Sequence, residues 1–276
     1  MAERSRTELL SLAKKIRRHI ITSTTAAGSG HPTSSLSAVE IAVALYFGGL
    51  LRHDPKNPKW PQRDRFILSK GHAAPLLYAC LAEAGYFPVE QLMTLRQLDS
   101  PLEGHPNYRR LPGVEASTGS LGQGLSIGMG HALAAKMDRL DYRTFVVLGD
   151  GEVGEGQVWE AVMSAAKYKL DNLVAIVDQN GYQQTGATKD VLDLRPLVPK
   201  FEAFGWFAQE IDGHDIDQVI SALRQAAATR GRPSVIVART VKGHPIAHLL
   251  GTDPNHHGKP LSKDEAAQVL AYIDSH

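Results

Sequence analysis

The 276-residue chain has one cysteine, Cys80, so it has no intramolecular disulfide framework and a reducing compartment is the expected setting. It also has almost no excess charge. Thirty basic against twenty-nine acidic residues leave +1 at pH 7, which excludes nucleic-acid or anionic-membrane binding through bulk charge. Long hydrophobic runs are missing too: the apolar stretches are strand-length, well short of the roughly 20 residues a membrane helix needs. The N-terminus, MAERSRTELLSLAKKIRRHI, is charged throughout, with no apolar signal core leading to a small-residue cleavage site. A soluble cytoplasmic protein that engages neither nucleic acid nor membrane is expected. What is present is an ordinary globular composition, 43% apolar and 21% charged, in a chain long enough for a substantial core.

Short buried-strand runs alternate with longer helical patterns. The strand candidates are 65–69, 144–149, 172–178, 206–212 and 233–240. The helix candidates are 7–25, 36–47, 73–84, 122–138, 156–168, 215–229 and 263–274. This alternation predicts crossover connections and a parallel α/β sheet flanked by helices, in one domain covering 1–276. Two stretches are loop-rich. One is 88–118, with Pro88, Pro101, Pro106 and Pro112; the other is 241–262, before the terminal helix. Long loops in a compact domain usually carry function.

Three motifs carry chemistry. In LGDGEVGEG a strand gives way to a helix at Gly149-Asp150-Gly151, and thirty residues after Asp150 the next strand delivers Asn180. Parallel strands end on one edge, where ligands bind, so Asp150 and Asn180 are predicted to share a crevice. A carboxylate, an amide oxygen and a nearby main-chain carbonyl are hard oxygen ligands, suited to Mg²⁺ or Ca²⁺ rather than zinc. Mg²⁺ keeps positions for phosphate oxygens, which points to a diphosphate. In STGSLGQGLSIGMGHALA, Gly119, Gly122 and Gly124 lead into a helix whose unpaired first amides suit an anion. Histidines then recur in glycine- or proline-marked turns: His31, His72, His105, His256 and His257. Imidazoles gathered in one cleft suit sugar hydroxyl or carbonyl chemistry, and their spacing is not a zinc pattern. His19, His53, His131 and His214 are read as ordinary turn or surface histidines.

In this order the motifs resemble the thiamine-diphosphate-binding portion of transketolases. The matching stretches include SGHPTSSLSAVEIAVALYF, RDRFILSKGHAAPLLYACLAEAGY, LEGHP, STGSLGQGL, GDGEVGEGQVWEA, LDNLVAIVDQNGY and TVKGHP…HHGKPL, from about Gly28 to Leu261. The resemblance implies thiamine diphosphate with Mg²⁺, Ca²⁺ being a possible substitute. It places Asp150, Asn180 and the main-chain carbonyl of Tyr182 on the metal. It places Ser34, His72, the Gly119-Ser120-Leu121 turn, Gly151, Lys242 and His257 on the diphosphate. His31, His105 and His257 match positions lining the sugar channel. Glu155 matches a glutamate that couples paired sites across a dimer; its other reading is a first-turn glutamate favoured by the helix dipole. The implied reaction moves a two-carbon ketol unit from a ketose to an aldose, the substrates being sugars or sugar phosphates.

The chain also departs from the family. Gly243-His244-Pro245 follows Lys242 where relatives commonly have a second glycine-rich turn. His256 competes with His257 for one role, and Gln184 stands where many relatives have an apolar residue. The sequence ends at His276, where a full-length transketolase continues into pyrimidine-binding and C-terminal domains. The expectation is therefore the N-terminal subunit of a split enzyme, an α₂β₂ heterotetramer with a C-terminal partner. Two alternatives stand beside it: the α subunit of a 2-oxo-acid decarboxylating complex, and a non-catalytic thiamine-diphosphate-binding regulatory subunit.

Overall fold

The computed structural model describes residues 4–250 and 255–275. Helix α1 (Arg6–Ala27) starts at Ser5, whose hydroxyl caps the Glu8 amide while Glu8 reaches back to the Ser5 N–H at 2.8 Å. Its inward stripe of Leu9, Leu12, Ile16 and Ile20 follows helical spacing. Then come α2 (Pro32–Leu36), α3 (Val39–Phe47), strand β1 (Arg65–Leu68), α4 (Ala74–Glu83), α5 (Gln123–Met137), β2 (Thr144–Gly149), α6 (Gly156–Lys167) and β3 (Leu173–Gln179). A two-stranded hairpin follows, β4 (Tyr182–Gln183) with β5 (Gly186–Ala187), then α7 (Thr188–Val191) and α8 (Val198–Ala203). The chain closes with β6 (Phe207–Asp212), α9 (Ile216–Ala228), β7 (Ser234–Arg239) and α10 (Lys263–Ser275). Among the described residues no helix is long and apolar enough to cross a membrane.

The main sheet is parallel with strand order β1-β2-β3-β7-β6. Strands β1, β2, β3 and β7 are almost wholly buried, because helices cover both faces. Side chains alternate between two cores with the period of two that a strand imposes. Phe66, Phe145, Val147, Val174, Ile176 and Ile236 join one core with α1, α3, α4, α9 and α10. Ile67, Val146, Leu148, Ala175, Val177 and Val235 join the other with α5, α6 and α8.

All five predicted strands form, within a residue or two of their expected ends. The helix expected over 36–47 starts instead at Val39 and is preceded by a separate short helix. Pro32 starts α2, which ends at Leu36, and the chain re-enters a helix at Val39. The break lies at Ser37, whose hydroxyl donates to Asp178 rather than facing an unbroken helix. The β4–β5 hairpin and helices α7 and α8 had no strong periodic signal, being shorter than the span over which periodicity shows. Register aligns the strand ends that matter: Leu68 pairs with Val147, Gly149 with Asp178, and Asp178 with Ala238.

Candidate functional site

Four strand ends deliver polar groups to one edge: Ser69 and Lys70 after β1, Asp150 after β2, Asn180 after β3, and Thr240 and Lys242 after β7. Beneath them Asp178 is fully buried in β3. Its carboxylate accepts from Ser37 Oγ at 2.6 Å and Asn180 Nδ2 at 3.2 Å, from the Thr240 hydroxyl, and from Lys70 in a buried ion pair. Burial works against this carboxylate, but the Lys70 charge and the donors outweigh it and hold its pKa below the ordinary value. Glu152 is a second buried clasp. It accepts from the Gly122 N–H at 2.9 Å, the Gly149 N–H at 3.1 Å and the Ser69 hydroxyl, joining the start of α5 to the ends of β1 and β2.

Asp150 and Asn180 meet at one turn, as the strand ends predicted. Asp150 accepts from the Gly151 N–H at 3.0 Å and the Gly181 N–H at 2.8 Å, and Asn180 Oδ1 accepts from the Tyr182 N–H at 3.1 Å. Burial, with the neighbouring Asp178 charge, pushes the Asp150 pKa up to about 6 in spite of those donors. Above this turn opens a cleft of about 260 Å³. Ser34, His72, Leu121, Gly151, Glu155, Asn180, Tyr182, Lys242 and His257 line it, together with Lys70 and Gln184. Glu155 is at once the residue heading α6 and part of the cleft wall.

The glycine-rich stretch acts differently from the expectation. The Gly122 and Gly124 amides at the start of α5 do not face outward: Glu152 takes the first and Ser69 Oγ the second, at 3.1 Å. Both amides are therefore already taken within the protein, and of the turn before them Leu121 lines the cleft. There Gly119 has φ +147°, and a Cβ on it would lie 2.9 Å from the His105 ring. A Cβ on Gly71 would lie 2.7 Å from the Gly119 nitrogen, so the backbones of 71 and 119 come together only because residue 71 is glycine.

His31, His72, His105 and His257 converge from four separate segments. Ring centroids are 4.9 Å apart for His31–His72, 5.0 Å for His31–His257 and 4.8 Å for His72–His105, all edge to face. Burial, then mutual repulsion, lowers the His31 pKa to about 3; burial, then the Lys242 charge, lowers that of His257 to about 4. His72 and His105 shift down mainly by burial as well. The cluster is therefore neutral near pH 7. The Lys242 ammonium lies 2.9 Å from His257 Nδ1 and can only donate, so the His257 proton sits on Nε2. His31 Nδ1 and His105 Nε2 are buried with no hydrogen-bond partner among the described residues. His257 lines the cleft, whereas its neighbour His256 offers its carbonyl to Thr33 Oγ1 at 3.2 Å.

Sequence reasoning missed Lys70, Asp178, Ser37, Glu152 and Arg96. Asp178 had a usable signal, because a carboxylate ending an otherwise apolar buried strand requires a counter-ion, and Lys70 ends the neighbouring motif. Arg96 had none. It adopts φ +58° and donates to Ser29 Oγ at 2.7 Å and the Gly104 carbonyl at 3.4 Å, tying together the turns that precede His31 and His105. His214 is also more than a surface histidine: it is half-buried between Glu40 and the chain after β7.

A parallel sheet with a polar cleft beyond its strand ends defines a cofactor-binding α/β domain, and residues 10–273 match the thiamine diphosphate binding domain of transketolase. The chain belongs to the transketolase family. It is 47% identical over 232 residues to a 6-deoxy-6-sulfo-D-fructose transketolase subunit of Clostridium sp. (strain MSTE9), with 84% of each chain covered. It is 46% identical to one of the subunits of the apulose-4-phosphate transketolase of Actinobacillus succinogenes, over 95% of each. Human transketolase is 44% identical over 97% of this chain, which spans 42% of that longer protein. The solved transketolase of Campylobacter jejuni superposes with a TM-score of 0.88 at 32% identity, over 97% of this chain and 43% of that one.

The residues fit thiamine diphosphate with a hard divalent cation. Asp150 is a buried carboxylate whose ionisation is disfavoured by its surroundings, a cost that a cation offsets. His31 Nδ1 and His105 Nε2, buried and without a hydrogen-bond partner among the described residues, suit a polar ligand.

Proposed function

We propose that this chain binds the diphosphate end of thiamine diphosphate in a ketol-transferring enzyme completed by a separate C-terminal subunit. The observation that carries the proposal is the cluster of four neutral histidines, of which His72 and His257 line the cleft together with Asn180 of the Asp150–Asn180 turn. Asp150, Asn180 and the Tyr182 carbonyl would hold Mg²⁺, or Ca²⁺ in its place. Ser34, His72, the Gly119-Ser120-Leu121 turn, Gly151, Lys242 and His257 would hold the diphosphate. When bound, the thiazolium supplies the electron sink for breaking and forming the carbon–carbon bond.

The chain's own residues do the rest. His31, His105 and His257 present neutral imidazoles to the carbonyl and hydroxyls of a sugar or sugar phosphate, donating or accepting protons at those oxygens. Lys242 fixes the His257 tautomer so that its Nε2–H is the donor. Glu155 would face its counterpart in a second copy and couple the two sites. The two relatives that this chain matches nearly end to end are named as subunits, which supports a second polypeptide in an α₂β₂ assembly. Cytoplasmic residence fits the single, fully buried cysteine.

The test is ketol transfer by the chain co-purified with a C-terminal transketolase half, in the presence of Mg²⁺ and thiamine diphosphate. Activity of the pair but not of the chain alone is expected, with cofactor affinity lost in Asp150→Ala. Sustained turnover by the chain alone would refute the split assembly, and undiminished affinity in Asp150→Ala would refute the metal assignment.

A further inference from the structure

After β7 the chain turns through residues 240–243 to bring Lys242 into the cleft. Its neighbours are tied down on both sides. The Thr240 hydroxyl donates to Asp178, the Val241 N–H donates to His214 Nε2 at 2.8 Å, and the Gly243 N–H donates to the Thr33 carbonyl at 3.1 Å. Of these anchors, His214 continues to a further buried partner, Glu40. Because its Nε2 accepts, neutral His214 carries its proton on Nδ1, which lies 3.2 Å from Glu40 Oε2. Glu40 in α3 is buried, and its other oxygen pairs with Arg17 of α1. Donor and acceptor roles are thus fixed along the whole line from Arg17 through Glu40 and His214 to the Val241 amide.

His244 lies flat on His214, with centroids 3.7 Å apart and planes 18° from parallel, and holds that ring in orientation. The same stack argues against a metal here, although ligand atoms of Glu40, His214 and His244 lie within 4.8 Å of one another. A bound ion lies in the plane of each imidazole, and two stacked parallel planes do not meet on one ion. The Arg17 guanidinium beside Glu40 opposes a cation as well.

We propose that Glu40 and His214 are positioning residues that set the 240–243 turn, so that Lys242 stands ready for the cofactor diphosphate. The proposal rests on reading Lys242 as a diphosphate ligand. Fixing its backbone beforehand removes an ordering cost from binding. His214→Phe keeps the ring and its stack on His244 but removes both hydrogen bonds. His214→Gln keeps an acceptor and a donor. Glu40→Gln keeps the shape and loosens the turn less.

Two measurements test the idea. Hydrogen exchange at Val241–Gly243 is followed in the chain without cofactor, and affinity for Mg²⁺–thiamine diphosphate is measured by calorimetry in the reconstituted two-chain enzyme. His214→Phe is expected to speed exchange and weaken affinity on the order of 10-fold, the worth of a lost hydrogen bond or two, with His214→Gln restoring most of it. Combined with Lys242→Ala, it should weaken affinity no further than Lys242→Ala alone. Unchanged exchange or affinity in both His214→Phe and Glu40→Gln overturns the proposal. Undiminished affinity in Lys242→Ala overturns instead the reading of Lys242. Zn²⁺ retained by the purified chain and lost in His244→Ala overturns the proposal in favour of a metal site.

Discussion

Asp178→Asn is the most informative single change, because it keeps the side-chain shape while removing the charge and one accepting oxygen. Asp178 is fully buried and Lys70 is 6% exposed, so water cannot take over as the partner of the ammonium. Breaking a buried pair from one side typically costs about 3–5 kcal/mol, since an uncompensated charge stays behind. The donors from Ser37 and Thr240 lose a charged acceptor as well, which places the loss toward the upper part of that range. At about 2–4 °C per kcal/mol for a chain of this size, the melting temperature should fall by roughly 6–20 °C. Lys70→Met should cost less, because the carboxylate keeps its hydroxyl and amide donors. The double variant Asp178→Asn/Lys70→Met should be more stable than the sum of the single losses implies. Urea unfolding of the four proteins closes the cycle. If the single losses add to the double loss within about 0.5 kcal/mol, the pair is not coupled and the account of this strand edge is wrong.

Other outcomes follow from the cleft. His31→Ala and His105→Ala should each lower turnover of the reconstituted enzyme by on the order of 100-fold while leaving cofactor affinity nearly intact; a fully active variant would make that histidine merely structural. Gly119→Ala should crowd the His105 ring at 2.9 Å and force a strained backbone, costing about 1–3 kcal/mol in unfolding free energy and lowering turnover with it; wild-type stability and rate would show that the turn is not tight. The histidines also set a pH dependence. With His31 near 3 and His257 near 4 in the fold against about 6.5 unfolded, the unfolded chain binds more protons across that interval. Stability of the cofactor-free chain should therefore fall as pH drops from about 6.5 toward 4, and the fall should be shallower in His31→Gln. An identical acid slope in the two proteins would contradict buried, neutral imidazoles.

Much of the architecture was legible because local pattern and long-range pairing agree. Apolar strand runs such as NLVAIVD leave no exposed face, so helices must cover both sides and the strands must run parallel. That topology brings Asp150 and Asn180 to one edge without any further information. The break at Ser37 was not legible, because the hydroxyl that interrupts the helix answers to Asp178, 141 residues away. Nor could the glycine-rich turn be read correctly by itself. Its helix looked open to an anion, yet Glu152 had already taken the Gly122 amide from within the neighbouring motif.

The sequence by itself determined which residues stand at strand ends, since hydrophobic periodicity and turn residues fix those locally. It also offered Asp150 and Asn180 as oxygen donors of the kind a hard cation takes. Tertiary structure alone decided which histidine of the His256–His257 pair faces the cleft. It decided that Arg96 binds the turns of His31 and His105, and that Arg17, Glu40 and His214 brace the turn carrying Lys242. Each of these contacts joins segments far apart in the chain, and its sign and worth depend on burial, which removes water as the competing partner. Burial is a property of the packed molecule, and no local stretch of sequence contains it.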